Sequence, residues 1–600
     1  MDDHRRDHVL AVDLSAETVE RRRVPQSWLS AYLGGKGIGA RYLYEQLEAG
    51  TDPLGPGNLL VFALGPLSGY LPGTTRYAAI TKSPLTGTFL DSYSGGSFPD
   101  RLAGALPDCL AVLVTGRAAD PVRLVLEDGD GRLEPAETWG RDTVETAAAF
   151  PDAGVACVGP AGEHRVAFAT IASDGGDHHA GRGGAGAVMG AKRLKAVVAR
   201  GDPPEPPAAL ERVCESAEEA YAAHETGRWQ RASGTAESVD FANELGVLPT
   251  EGWQRGRFDG IEEIGVEAIR RTASGRDRPD DEVPGDFRVD TDDGDVLVRG
   301  ATPMTLGAGL GIDDLEAVTT LGERCDRLGV DVIDAGNAVA WAIRAGEAGV
   351  VDCSLEFGDP AGAEALIGAI AIRDSGGEDW EDSMPGTLAD GVEAAANRYG
   401  GEAFVPTVKA MALPSYDPRG AVGMALAYAT SDRGGCHRRA RPIETEVFAV
   451  DDWTTADRVR AVVVAQDVRS VLWSLVVDDF VGETMWDDLG SEWLAALDRS
   501  YTPAELERVG ERIWTLVRLF NAREGFDRAD DRLPAPLTEP VADGPAAGNS
   551  IDPDGFERLL DAYYRARGWG PTGLPTSETL ERLGLADIVD EETPLDEPWA

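Results

Sequence analysis

Lysine is nearly missing from this chain. Only Lys36, Lys82, Lys192, Lys195 and Lys409 occur in 600 residues, so arginine supplies almost all the positive charge. Cysteine is scarce and scattered. Cys109, Cys157, Cys214, Cys325, Cys353 and Cys436 include no short-spaced pair, which excludes a disulfide framework and any sequence-evident cysteine metal site. Long apolar runs are absent too. The most apolar late stretch, VRAVVVAQDVRSVLWSLVV, is broken by Gln466, Asp467 and Arg469 and reads as a buried helix, not a bilayer span. The start, MDDHRRDHVLAVDL, lacks the charged-then-apolar pattern of a secretory signal. Positive charge is the largest deficit, with 56 Lys+Arg against 104 Asp+Glu and a net charge of -48. Nucleic acid and anionic membrane both require basic surface, so neither is expected as a partner. The acid excess fits a solvated surface in a high-salt cytoplasm, where screening relieves self-repulsion. The expectation is a soluble, cytoplasmic, halophilic protein.

What is present points to a folded, multi-domain chain. Hydrophobic residues make up 42%, and a chain this long divides into roughly two to four domains or subdomains. Up to about residue 200 there are short apolar runs between turn residues, among them NLLVFALG, RYAAIT, LAVLVTG, VRLVLEDGDGRLEP and RVAFATIA. Their length and punctuation predict strands and hairpins. RGDPPEPPAAL then marks a boundary, and apolar residues recur at three- and four-residue spacing in ALERVCESAEEAYAAHE, LEAVTTLGERCDRLG, AGNAVAWAIRAGEAG, TLADGVEAAANRYG and ADRVRAVVVAQDVRSVLWSL. RDRPDDEVPGDFRVDTDDGD reads as an acidic interruption, and GFERLLDAYYRARG as one further helix. The predicted class is α+β, with a β-rich base over 1–205 followed by two mainly helical domains over 206–425 and 426–600.

Several segments invite chemistry. GRGGAGAVMGAKRLKA, residues 181–196, combines glycines with Arg182, Lys192, Arg193 and Lys195 and has no acid. Glycines let bare N–H groups approach a ligand, and a following helix adds its positive dipole end, a combination suited to phosphate. An ordinary glycine-rich turn before a basic helix end is an equal reading. Every lysine falls in a glycine-, serine- or proline-punctuated segment, which suggests that lysine survives at sites. His178 and His179 are adjacent, so their side chains point apart, and the pair reads as part of a loop.

The segments YLGGKGIGARYLYEQLEAGTDPLGPGNLLVFALGPLSG, TTRYAAITKSPLTG, GPAGEHRVAFATIA and GRGGAGAVMGAKRLKA occur in an order and spacing that resembles the aldehyde ferredoxin oxidoreductase family. The resemblance continues through CDRLGVDVIDAGNAVAWA, YDPRGAVGMALAYATSDRGGCHRRA and AQDVRSVLWSL, covering about residues 8–480. It implies a tungsten-bis-pterin cofactor, with molybdenum as the other metal choice, and oxidation of a small-molecule aldehyde to a carboxylic acid with water as oxygen source. It places Arg76, Ser94, Gly95, Gly96, Arg182 and Gly183 beside the pterins and their phosphates. Asp326, Gly329 and Asp331 match the family's D-x-x-G-L-D pterin motif, a stretch that by itself also reads as a helix end with a glycine cap. His437, in RGGCHRR, falls where the family keeps a histidine near tungsten, and a near-neutral pKa suits it to proton transfer. The dithiolenes hold the metal, so no protein side chain is assigned as a metal ligand.

The chain also departs from that family. The usual 4Fe–4S cluster is bound by C-x2-C-x3-C and a late cysteine, but the matching DDEVPGDFRVD (280–290) and Asp478 of WSLVVDDF contain no thiol. The same match puts Trp473 at the family's aspartate and Val476 at its glycine. PMTLG (303–307) replaces the segment P-E-Y-E-T that carries a glutamate, and Tyr93 stands at a magnesium-binding asparagine. The expectation is an oxidoreductase that lacks the cluster and passes electrons to ferredoxin or another redox partner. The alternatives are a non-catalytic cofactor-binding or scaffold homologue, and a subunit relying on a partner iron–sulfur protein.

Overall fold

The computed structural model describes residues 6–70, 75–292, 294–374, 383–449 and 453–599. The first five residues of the amino-terminal stretch read above lie outside them. β1 (His8–Asp13), β2 (Thr18–Arg23), β3 (Leu60–Ala63), β4 (Tyr77–Lys82), β5 (Phe89–Ser94) and β6 (Cys109–Thr115) form one sheet in the order β2-β1-β6-β3-β4-β5. A second sheet has the order β11-β10-β9-β12-β7-β8. Its strands are β7 (Val122–Glu127), β8 (Asp130–Pro135), β9 (Gly154–Cys157), β10 (Ile171–Ser173), β11 (His178–Ala180) and β12 (Leu194–Arg200). Each sheet has one parallel pair, β1 with β6 and β12 with β7, and is otherwise antiparallel. Leu10, Phe62 and Tyr77 of the first share a core with Leu124, Ile171 and Val197 of the second. The other face of the first sheet carries Val61, Ile80 and Phe89 into a core with Trp473, Ile513 and Phe520 of the late helices. Covered on both sides, β3 reads LVFA and is buried at every position, which is why its sequence does not alternate.

Helices follow the base, as expected. α1 (Leu315–Leu328) buries Leu315, Val318, Leu321, Cys325 and Leu328, one stripe at three- and four-residue spacing, and Asp314 caps its first turn. It ends on Gly329 in the left-handed region at φ 72°. Asp331 then caps α2 (Val332–Glu347) by accepting from the N–H of Asp334. The motif CDRLGVD is thus a helix–glycine–cap junction that turns the chain between Asp326 and Asp331. α3 (Thr455–Leu475) begins with a capping box of Thr454 and Asp457. Two expectations are corrected. The acidic interruption forms a small sheet of β13 (Ala273–Arg276), β14 (Phe287–Thr291) and β15 (Gly294–Val298), because Phe287, Val289 and Val298 find a core to enter. TLADGVEAAANRYG is not one helix, since Gly391 at φ 103° separates Met384–Leu388 from Val392–Tyr399.

The lysines are structural. Lys36, Lys82, Lys192 and Lys195 are buried residues, and the Lys409 side chain is 1% exposed. Carboxylates partner Lys36 (Asp91 and Asp432), Lys82 (Glu524), Lys195 (Glu163) and Lys409 (Asp531). Lys192 instead donates to backbone carbonyls. A surface solvated by acid and arginine has no lysine among the described residues, and those that persist sit where a buried network fixes the identity of the cation.

Val476, at the end of α3, stands where the resemblance expects glycine, and it does adopt a glycine-like left-handed conformation at φ 60°, ψ 45°. That geometry costs a β-branched residue roughly 1–2 kcal/mol. Its side chain is 1% exposed, and full burial of valine contributes roughly 1.5–3 kcal/mol, with a further ~0.5–1 kcal/mol for the backbone entropy of glycine. Burial wins. Val476→Gly is expected to destabilise by about 1 kcal/mol, and a raised thermal midpoint in that variant would reverse this weighing.

Candidate cofactor and substrate cavity

A cavity of about 1060 Å³ is walled by both the base and the helical parts. The ends of β5 and β11, the glycine ribbon before residue 185, the α1–α2 junction and the segment 433–441 converge on it. Arg76, Ser94, Gly95, Arg182, Asp326, Asp331 and His437 all line it. Gly96, Gly183 and Gly329 do not line it, each being the chain neighbour of a lining residue (Gly95, Arg182 and Val330). At Gly96, φ is 84° and an added Cβ would sit 1.6 Å from Asp174 Oδ2, so no other residue fits there.

Of the four cations in the glycine ribbon only Arg182 faces the cavity, which corrects the reading that the others help bind phosphate. Lys192 Nζ donates to the carbonyls of Asn58 (2.5 Å) and Gly116 (3.2 Å), and burial pushes its pKa down to about 8. Arg193 bonds the carbonyl of Ala119, and Lys195 pairs with Glu163. The intervening helical turn Ala185–Ala191 carries these three to its far end.

Arg182 is 8% exposed, and its Nη2 donates to the carbonyls of Gly435 (2.9 Å) and Ala412. Its Nε and Nη1 are buried without a hydrogen-bond acceptor, the nearest carboxylates being Asp331 and Asp334 at 3.8 and 3.7 Å. Arg433 Nε is likewise unsatisfied. Unmet guanidinium donors in a cavity wall are costly, and an anionic group satisfies them. Burial pushes the Asp334 carboxyl up to about 7, against the pull of Arg182 and with the repulsion of Asp331. Asp326 lies 3.2 Å from His179 Nε2. His178 and His179 belong to strand β11, not a loop, pairing with β10.

His437 packs against the ring of Tyr416, centroids 5.6 Å apart. Its pKa lies well below the ordinary imidazole value, through burial first and then the charges of Arg441, Arg438, Arg182 and Arg433. The near-neutral value expected for it is therefore corrected: with those cations facing it, the ring stays neutral. Beside it, burial would raise the Cys436 thiol, but Arg433, Arg439 and Arg182 outweigh that and hold it at about 7. Arg433 Nη2 donates to its sulfur at 3.2 Å. The sequence reading missed Cys436, Arg433 and Asp334, although the arginines flanking CH in RGGCHRRA were the available signal for the first two.

Behind this wall lies a buried charge network. Lys36 Nζ is 3.1 Å from Asp91 Oδ2 and also pairs with Asp432, and Arg439 bridges the same two carboxylates. Burial would raise the Asp432 carboxyl, and Arg439 and Lys36 together hold it below the usual carboxylate range. Two family departures meet here. Tyr93 and Trp473 pack with ring centroids 5.2 Å apart, Tyr93 donating to Asp91 (2.6 Å) and Trp473 to Asp479 (2.8 Å). Arg76 Nε donates to Asp478 Oδ2 at 2.7 Å, Asp478 being the residue that the sequence resemblance set against a cysteine. The segment 277–286 is closed by the backbone bonds Asp277 N to Asp286 O (2.9 Å) and Gly285 N to Asp277 O (2.8 Å). Among the described residues no group of three or more His, Cys, Asp or Glu side chains is placed to hold a metal ion. Nor is any described helix long and apolar enough to cross a membrane.

Comparison with known proteins agrees with this architecture. The N-terminal-domain model of aldehyde ferredoxin oxidoreductase matches residues 9–201, and the model of its domains 2 and 3 matches 212–585. A tungsten-containing aldehyde ferredoxin oxidoreductase of Pyrococcus furiosus is 34% identical over 96% of this chain and 98% of its own length. That of Pyrococcus abyssi is 33% identical over 97% and 99%. In fold, the chain is similar to the active site complex BamBC of benzoyl coenzyme A reductase, with a TM-score of 0.80 over 98% of both chains at 23% identity. With both family models matched along nearly its whole length, this chain belongs to the aldehyde ferredoxin oxidoreductase family.

Proposed function

We propose that this protein oxidises an aldehyde to a carboxylic acid in the cavity and passes the electrons on without an iron–sulfur cluster of its own. The observation that carries the reading is Arg182, a buried guanidinium with two unsatisfied nitrogens on a residue that lines the same cavity as His437. An anionic tungstopterin fits that donor set. Arg182 and Arg433 would hold its anionic groups, Gly95 and Gly181 would offer close backbone approach, and Asp326 and Asp331 would accept from its amino and ring N–H groups. When bound, the tungstopterin, or its molybdenum counterpart, supplies the two-electron redox chemistry. The chain's own tasks are to orient the aldehyde, keep bulk water from the reacting carbon and move a proton. His437 is the group for the last task, because its Nε2 or Nδ1 is free of protons at neutral pH and no carboxylate occurs from Thr302 to Ile312 to take the role.

A cluster does not fit. Thiolates are required, and the two expected ligand segments have none; an Arg76–Asp478 ion pair and a self-closed loop stand in their place. Protein purified anaerobically from its own host is expected to contain tungsten or molybdenum with pterin and little iron. Iron and acid-labile sulfide at about four each per chain would overturn this. Dye-linked turnover is expected to exceed ferredoxin reduction by the isolated chain, because a small dye reaches the cavity directly while a ferredoxin takes single electrons from outside. Rapid ferredoxin reduction by the isolated chain would contradict the missing relay.

A further inference from the structure

Arg193, a ribbon cation that turns away from the main cavity, lines a second one. This cavity holds about 390 Å³ and shares no lining residue with the first. Its volume lies within the range of small-molecule sites, roughly 300–1,000 Å³. Segments 117–121, 163–165 and 190–193 build it together with Trp139, and short contacts lock them to one another. Ala118 N–H donates to the carbonyl of Lys192 (3.1 Å), and Val122 N–H to that of Arg193 (2.9 Å). Gly140 N–H donates to both carboxylate oxygens of Glu163 (3.0 and 2.9 Å). Gly190 lies so close to the turn Pro160–Glu163 that an added Cβ would sit 1.8 Å from the Gly162 carbonyl oxygen.

Two of its arginines stand where glycine is the usual residue. Arg165 (φ 59°) and Arg193 (φ 57°) occupy the left-handed region just past the helical turns Pro160–Glu163 and Ala185–Ala191. Glycine adopts that conformation without strain and ends helices for this reason. The turn carbonyls are already satisfied by backbone, Arg165 N–H donating to Gly162 (2.9 Å) and Arg193 N–H to Gly190 (2.8 Å). Capping therefore does not consume the side chains. Arg193 gives one nitrogen to the carbonyl of Ala119. Among the described residues, the side chains of Arg165 and Arg117 have neither a hydrogen-bond acceptor nor a carboxylate within 4.0 Å. Other arginines of the β-rich base do find carboxylates, Arg21 at Asp108, Arg123 at Glu134 and Arg132 at Glu127.

The lining defines the ligand. Glu163 is neutralised by Lys195, so three guanidiniums face one open carboxylate, Asp120, in a chain of net charge -48. Guanidiniums present parallel N–H donors that match phosphate oxygens. Trp139 is half-buried in the same wall and packs on no other aromatic ring among the described residues, which leaves an indole face for a planar ring. The Asp120 carboxylate accepts from hydroxyl or amino groups. Phosphate, planar base and sugar hydroxyls are together the chemistry of a nucleotide.

We propose that this second cavity binds a nucleoside phosphate. Arg117, Arg165 and Arg193 hold the phosphates, the base lies against Trp139, and Asp120 accepts from the sugar hydroxyls or an exocyclic amine. The site stands apart from the oxidoreductase reading, since none of its residues lines the main cavity.

The test uses the full chain purified from its own host and ADP as the probe, followed by equilibrium dialysis and titration calorimetry. ADP is expected to bind at least about tenfold more tightly than adenosine, which lacks the phosphates, and than inorganic phosphate, which lacks the ring. Arg117→Gln and Arg165→Gln should each weaken ADP about tenfold, the effect of losing a charge-assisted hydrogen bond. Both residues are exposed, so these variants should keep the parent's thermal midpoint. Trp139→Leu should weaken ADP and leave inorganic phosphate unchanged. Absence of ADP binding, or equal binding of ADP and inorganic phosphate, would overturn the proposal. ADP binding that persists unchanged when Arg117→Gln and Arg165→Gln are combined would also overturn it, by placing the nucleotide elsewhere on the chain.

Discussion

Asp432→Asn is expected to lower the thermal midpoint by on the order of 10 °C. The substitution keeps the shape and removes one of two carboxylates that hold Lys36 and Arg439 in a fully buried network. Lys36 is 0% exposed and Arg439 1%, so neither cation can turn to water for compensation. Breaking a buried pair from one side typically costs ~3–5 kcal/mol, and each kcal/mol moves the midpoint of a large domain by about 2–4 °C. The π faces of Phe89, Trp473 and Trp514, 5.1 to 5.7 Å from Lys36 Nζ, return a fraction of this. The pH dependence follows from the depressed Asp432 carboxyl. Its contribution is complete above the unfolded carboxylate value of about 3.9, and is lost as pH falls toward the folded value. The deficit of the variant should therefore be constant from pH 5 to 8 and shrink only in stronger acid. A midpoint within about 2 °C of the parent at pH 7 would show that the network is not a stabilising element.

The network also explains why the site was only partly legible in the sequence. Glycine spacing and strand punctuation report local backbone geometry, and these located β3, β4, β6 and the helix–glycine junction between α1 and α2. Lysine position does not report function, because a buried ion pair joins residues as distant as Lys36 and Asp432. The same distance hides compensation. Tyr93 and Trp473 each look like the loss of a family residue, but they touch, so one aromatic replacement supports the other. His437 was identifiable by position, but its lowered pKa was not, since that depends on four guanidiniums folded around it. Phe287, Val289 and Val298 were obscured by the acids between them, and only tertiary packing turned that segment into a sheet.

The His437→Ala variant is expected to lose about 10²–10⁴-fold of dye-linked aldehyde oxidation while retaining its metal and pterin. Oxidation of an aldehyde with water delivers two electrons and releases protons, so a proton acceptor near the reacting carbon is needed. Asp326 and Asp331 are engaged, the first with His179 and the second as a helix cap. The turn at 303–307 carries no acid. His437 is neutral because burial first, and then the surrounding arginines, disfavour its proton, and an anionic cofactor among those arginines would offset part of their charge but not the burial, so the ring stays below its ordinary value. A base of lowered pKa is unprotonated at pH 7 and fails only as pH falls through that lowered value. The acid limb due to His437 is thus expected below the ordinary imidazole value of about 6.5. Cys436, held at about 7, titrates separately. Cys436→Ser should remove an inflection near neutrality without abolishing turnover, whereas His437→Gln should resemble His437→Ala at every pH. Full activity in His437→Ala would leave proton transfer to solvent and strip the histidine of its role. Loss of metal in that variant would instead make His437 a residue that holds the cofactor.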